Sequence, residues 1–189
     1  MDELRKILRT WFGEAAGISV AEIRDYPLYP EEEALMVRAV AKRRAEFSTG
    51  RWCAREALRE IGVAPCAILT GALREPLWPA GVTGSITHAA GIGAAIVLPA
   101  SLCRGVGIDI LNEEEAKRLL PPPELPHTFS AKESAIKALS SSAGRFIDLA
   151  EIQLTFGEPG RFEAAFGGAA VQGWWQRSGE FLVTAAVAD

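Results

Sequence analysis

Histidine is scarce in this chain, cysteine is scattered, and no long apolar run occurs. Only His88 and His127 stand among 189 residues, which leaves little to build a histidine-ligated zinc site or a Ser-His-Asp arrangement. The cysteines, Cys53, Cys66 and Cys103, are odd in number and form no CxxC pair. A disulfide framework is therefore not expected, and a reducing, cytoplasmic setting is. Cys53 and Cys103 sit in apolar surroundings and read as core thiols. The longest apolar stretch, residues 91–100, is too short and glycine-rich to span a bilayer, and residues 1–13 lack a secretory apolar core. A positive balance is also missing. Lys and Arg number 20 against 24 Asp and Glu, a net charge of −4, which argues against a nucleic-acid binder.

What is present is the composition of a globular protein: 49% hydrophobic and 23% charged residues, enough for one sizeable domain or two small lobes. Residues 4–16 read as a short amphipathic helix. Residues 31–61 carry a helical apolar period, opened by Pro30 and three glutamates, with Gly50 as an expected interruption and Gly62 as the stop. The period then changes. Residues 66–70, 83–87, 93–98 and 105–110 read as strands between Gly and Pro punctuation. Residues 112–120 read as a helix capped by Asn112, and residues 120–126 as a proline-rich loop. A further helix runs from a Ser130 cap to about residue 139, with Glu133 three residues on as in a capping box. Residues 151–156, 161–166, 170–177 and 179–188 read as antiparallel strands. The expected class is α+β, with a lobe boundary near residues 99–104. No internal repeat is visible by eye.

Two segments carry the chemistry. Residues 105–110 form an apolar run holding Asp109. Residues 129–137 look like a helix start bearing Lys132, Glu133 and Lys137. Two carboxylates suit a hard cation, and two lysines suit phosphate oxygens, the equipment of a magnesium-dependent enzyme acting on a pyrophosphate. Each residue also has a plainer reading. Asp109 can open an exposed turn, Glu133 can serve the capping box, and Glu133 with Lys137 can form a surface ion pair at i, i+4. Only their conjunction favours function.

Arg43, Phe47, Arg51 and Arg55 recur every four residues and form one helical stripe, either a solvated face or a phosphate clamp. His88 ends the run Gly84-Ser85-Ile86-Thr87-His88, as a structural histidine or a donor to phosphate.

These segments resemble 4′-phosphopantetheinyl transferases of the larger, monomeric, enterobactin-synthetase-like kind. Four blocks in the family's order, spanning residues 42–137, carry the resemblance. They are residues 42–47 continuing through 51–58; residues 74–82, Arg-Glu-Pro-Leu-Trp-Pro-Ala-Gly-Val; residues 84–88; and Gly107-Ile108-Asp109 paired with Phe129-Ser130-Ala131-Lys132-Glu133 and Lys137. The resemblance implies two similar lobes, residues 1–103 and 104–189, with the active site in the cleft between them. It implies transfer of phosphopantetheine from coenzyme A to a serine of an apo acyl, peptidyl or aryl carrier protein. By motif position, Asp109 and Glu133 would hold Mg2+, and Glu133 would help deprotonate the serine. Lys137 would stabilise the departing phosphate, and Lys132, Arg43, Arg51 and His88 would contact coenzyme A phosphates. A monomer with no membrane span and no nucleic-acid partner is expected. One departure stands out: many relatives carry a third acid two residues after the aspartate, where this chain has Leu111. A family member reduced to binding coenzyme A or a carrier protein is the alternative reading that Leu111 motivates.

Overall fold

Acidic residues open and an arginine closes the first helix, α1 (Asp2–Phe12), which carries Leu4, Ile7 and Leu8 into the core. Next come β1 (Gly17–Glu22), α2 (Pro30–Glu33) with a 3-10 turn over Ala34–Met36, and α3 (Ala41–Glu60). A short pair, β2 (Leu69–Thr70) and β3 (Pro76–Leu77), precedes β4 (Val82–Ala89), β5 (Ile92–Pro99) and β6 (Gly105–Asn112). Then follow α4 (Glu113–Leu119), α5 (Pro126–Ala143), a 3-10 turn (Leu149–Glu151), β7 (Gln153–Phe156), β8 (Arg161–Phe166), β9 (Ala169–Ser178) and β10 (Phe181–Ala188). The computed structural model describes residues 1–121 and 125–189, so the loop expected over 120–126 lies partly outside the described residues. The α+β class is as expected.

The strands form two main antiparallel sheets, ordered β1-β5-β4 and β6-β10-β9-β8-β7. The first three strands of each arise the same way. A strand is followed by a long helix and, after a further pair of strands (β2–β3 or β7–β8), by a hairpin whose second strand pairs back onto the first. This repeat is topological and left no trace readable in the sequence. Helix α3 packs on β1 and β5, and α5 packs on β6 and β10. Strand alternation separates the cores. Ala94, Ile96, Val106, Ile108, Val183 and Ala185 meet α1 in one cluster that spans both sheets. Ala95 and Val97 face α3, whereas Ala186 and Ala188 face α5.

Strands β4 and β6 lie side by side where the sheets meet. No backbone ladder joins them among the described residues; instead Ser85 Oγ accepts from Ile108 N at 3.0 Å and Thr87 Oγ1 from Ile110 N at 3.4 Å. The two steps run in the same sense, so the strands are parallel there.

Four expectations need correction. Gly50 does not interrupt α3; the break falls at residues 37–40, where Arg44 grips Glu33 through both carboxylate oxygens at 2.6 and 2.7 Å and folds α2 back beside α3. The strand expected over 66–70 shrinks to Leu69–Thr70 because Ile68 is clamped by side chains: its N–H donates to Glu32 Oε1 at 2.8 Å and its carbonyl accepts from Arg51 Nε at 2.6 Å. Ser130 is not a cap, since Pro126 starts α5 four residues earlier and Glu133 closes no capping box. Strand β1 was not anticipated. The stop at Gly62 holds, with Val63 N reaching Leu58 O and Gly62 N reaching Arg59 O in a Schellman-type end.

Helix α5 touches β6 through glycine. A Cβ on Gly107 would stand 1.8 Å from Ser134 O, and one on Gly105 1.9 Å from Ala138 O. Gly107→Ala should therefore cost about 3 kcal/mol, because a helix backbone must move. Gly157→Ala, with nothing within 4 Å, is the control and should stay within about 0.5 kcal/mol. Urea unfolding of the two variants checks both values.

Candidate active site

Asp109 shares a face of β6 with Gly105 and Gly107, so the glycines that admit α5 also bring that helix's side chains onto the carboxylate. Oδ1 accepts from Lys137 Nζ at 2.8 Å and from Thr87 Oγ1 at 3.1 Å, and Oδ2 accepts from Ser130 Oγ at 2.8 Å. Lys137 Nζ also donates to Ile108 O at 3.0 Å. The aspartate is 8% exposed, so its charge is held by donors rather than by water.

Glu133 lies one helical turn before Lys137 on α5 and is half-buried. It has no hydrogen-bond or ion-pair partner among the described residues. Burial pushes its carboxyl above the ordinary range; Lys137 opposes the shift and the Asp109 charge adds to it. The three residues thus form one electrostatic group.

His88 lines the same recess as Asp109, together with Lys42, Glu46, Leu111 and Phe129. It is exposed, at the end of β4. Lost hydration pushes the imidazole below its usual value; Glu46 opposes, and Arg43 and Lys137 add. A second recess, lined by Trp78, Ser85, Ile86, Ile136, Lys137 and Ser140, opens on the other side of Lys137. Both have walls from β4 and from α5.

The arginine stripe divides. Arg43 is exposed beside Glu46, at 3.9 Å. Arg51 is buried, donating to Ile68 O at 2.6 Å and Thr70 Oγ1 at 3.0 Å and stacking over Phe47. Burial pulls its pKa down to about 10; Glu32 opposes, and Arg43 and Arg55 add. Arg55 pairs with fully buried Glu32 at 2.7 Å. Lys132 is half-buried next to Glu133, without an ion-pair partner among the described residues.

Leu111, on the Asp109 face of β6, packs with Ala116, Leu182, Phe129 and Trp175. Of the glutamates of α4, Glu113 is bound to Arg177 at 2.8 Å, and Glu115 reaches the recess holding Asp109. Sequence reasoning overlooked the hydroxyls of Thr87 and Thr184 and misread that of Ser130. Thr87 lies within the Gly-Ser-Ile-Thr-His run, whereas Thr184 had no signal beyond being a polar residue in an apolar strand.

Residues 31–98 match the family model described as 4′-phosphopantetheinyl transferase N-terminal domain, and residues 105–186 that of the 4′-phosphopantetheinyl transferase superfamily. The chain is 37% identical over 163 residues to 4′-phosphopantetheinyl transferase Npt of Nocardia iowensis, covering 75% of this chain and 73% of that one. It belongs to the 4′-phosphopantetheinyl transferase family. The transferase is also 38% identical over 157 residues to 4′-phosphopantetheinyl transferase PptT of Mycobacterium tuberculosis, covering 70% and 69% of the two chains. With enterobactin synthase component D of Salmonella typhi it shares 37% identity over 120 residues, 52% of this chain and 49% of the other.

The Glu133 shift has a stability consequence for this transferase. A raised pKa in the folded state means that folding favours the protonated carboxyl. That stability is present below the ordinary value of 4.5 and is lost as pH rises through the raised value. Glu133→Gln should raise Tm by about 2 °C at pH 7 and leave it unchanged at pH 4, as read by calorimetry at the two pH values.

Proposed function

We propose that this transferase moves the 4′-phosphopantetheine group of coenzyme A onto a serine hydroxyl of an acyl, peptidyl or aryl carrier protein, releasing adenosine 3′,5′-bisphosphate in a Mg2+-dependent reaction. The observation that carries the reading is the group formed by Asp109, Glu133 and Lys137 where β4, β6 and α5 converge. Residues 1–103 and 104–189 are its two lobes. The protein acts as a monomer in the cytoplasm, where its three free cysteines stay reduced.

The donor set suits magnesium. Asp109 and Glu133 supply hard carboxylate oxygens, and Glu133 is a half-buried acid without a hydrogen-bond partner among the described residues, which a cation would relieve. No group of three or more His, Cys, Asp or Glu side chains among the described residues makes a ready cage. Magnesium binds through one or two carboxylates, with waters and substrate phosphates completing the shell. When bound, it would neutralise charge on the pyrophosphate as the bond to the leaving group breaks.

The side chains supply the rest. A serine hydroxyl is a poor nucleophile until a base takes its proton, and a carboxylate with a raised pKa is suited to that task. Lys137, held by one hydrogen bond to the Asp109 carboxylate and one to the Ile108 carbonyl, stabilises charge on the departing phosphate. Arg43, 3.9 Å from Glu46, and Lys132, without an ion-pair partner among the described residues, offer cations, and His88 offers an N–H to phosphate. Arg51 is a buried cation whose neighbouring carboxylate, Glu32, is taken by Arg55, so an incoming phosphate would supply the charge balance it lacks.

Intact mass of an apo carrier protein after incubation with the protein, coenzyme A and Mg2+, with EDTA as control, tests the reading. A metal-dependent gain of one phosphopantetheine is expected. Coenzyme A binding without mass gain on several carriers would favour the binding-only alternative. Asp109→Ala should abolish transfer while the protein remains folded by circular dichroism. Glu133→Ala should lower kcat by about 10²- to 10⁴-fold, the range lost with a general base.

A further inference from the structure

Thr184 stands directly opposite Asp109 in the β6–β10 ladder, so the two side chains share a face of the sheet. It is fully buried, as is Ser130. Thr184 Oγ1 lies 3.0 Å from Ser130 Oγ and 2.8 Å from Ser130 O, and Ser130 Oγ lies 2.8 Å from Asp109 Oδ2. Two hydroxyl protons serve these three contacts. Asp109 and the Ser130 carbonyl only accept, and an ionised carboxylate is the strongest acceptor present, so the Ser130 proton points at Asp109. The Thr184 proton is then shared between Ser130 Oγ and Ser130 O. With its lone pair engaged by Thr184, Ser130 keeps one direction in which to donate. Thr87 is set the same way from the other sheet: Oγ1 accepts from Ile110 N at 3.4 Å and donates to Asp109 Oδ1 at 3.1 Å.

We propose that Thr184 and Ser130 form a buried positioning relay that, with Thr87, fixes the Asp109 carboxylate so that its remaining Oδ2 lone pair faces the recess. The relay draws on β10, α5, β6 and β4, so it ties the ligand's orientation to the docking of α5 and to the meeting of the two sheets. Hydrogen bonds to a ligating carboxylate set both its direction and its basicity. The relay rests on the reading of Asp109 as a metal ligand.

Mn2+ titration of the full chain, followed by water proton relaxation with coenzyme A present and no carrier protein, tests the relay without turnover. Thr184→Val keeps the shape and removes the donor; it should weaken Mn2+ binding about tenfold, while Thr184→Ser should restore it to within about twofold. Coenzyme A affinity in EDTA, by calorimetry, should not change in either. Should Thr184→Val fail to fold, Ser130→Ala makes the same test and should show the same loss. Wild-type Mn2+ affinity in Thr184→Val, or in Ser130→Ala where that variant stands in, would overturn the relay, as would an equal loss in Thr184→Ser and Thr184→Val, which marks packing rather than hydrogen bonding. Asp109→Asn separates the two readings. If it leaves Mn2+ affinity unchanged, the metal assignment falls and the relay with it. If Asp109→Asn weakens binding and Thr184→Val does not, only the relay falls.

Discussion

The contact between the backbone of α5 and strand β6 is the constraint on which the site depends. Hydrogen atoms at Gly105 and Gly107 let the helix lie against the strand with its carbonyls where a Cβ would otherwise stand. At that separation short side chains suffice, and Ser130 reaches Asp109 directly. Lys137 reaches it from two turns further along. Any larger residue at Gly107 would lift the helix and separate every donor from the carboxylate at once. The first sheet repeats the device, with Gly17 of β1 set against the carbonyl of Ala57 in α3.

Two kinds of charged group hold this protein, and they differ in how fully they are satisfied. Glu32 is fully buried and accepts from Arg55, Tyr29 N and Ile68 N, so its cost of desolvation is offset on every side. That network pins the chain before α3 and the segment after it to one helix. Asp109 is similarly occupied, yet half-buried Glu133 beside it has no such partners among the described residues. Burial without such partners is why the Glu133 carboxyl lies above its ordinary range, one helical turn from Lys137.

The legible parts of the fold were those with local causes. Asn112 caps α4 through Glu115 N at 3.0 Å, as its position before three glutamates indicated, and Gly62 ends α3. The apolar run of β5 is buried on both faces, as an unbroken run of that length requires. The illegible parts had distant causes. Ile68 leaves the strand pattern because Glu32 and Arg51, far off in sequence, claim its backbone. Ser130 reads as a helix cap until Pro126 is seen to begin the helix earlier, and its hydroxyl then serves a carboxylate on another element.

Taken alone, the sequence determined the residue types and their order: the Gly-x-Gly-x-Asp strand, the Ser-x-Lys-Glu-x-x-x-Lys helix and the arginine stripe. Its periods indicated the α+β class, since spacing along one strand or helix decides which side chains share a face, and the resemblance of its motifs indicated the family. It could not decide which of the stripe's three arginines were buried, because burial depends on what packs against α3. Nor could it place Thr184 opposite Asp109, because strand pairing across more than seventy residues is set by the whole sheet. Tertiary structure decided those points, for the physical reason that a carboxylate's partners are chosen by distance in space, and only the folded backbone sets that distance.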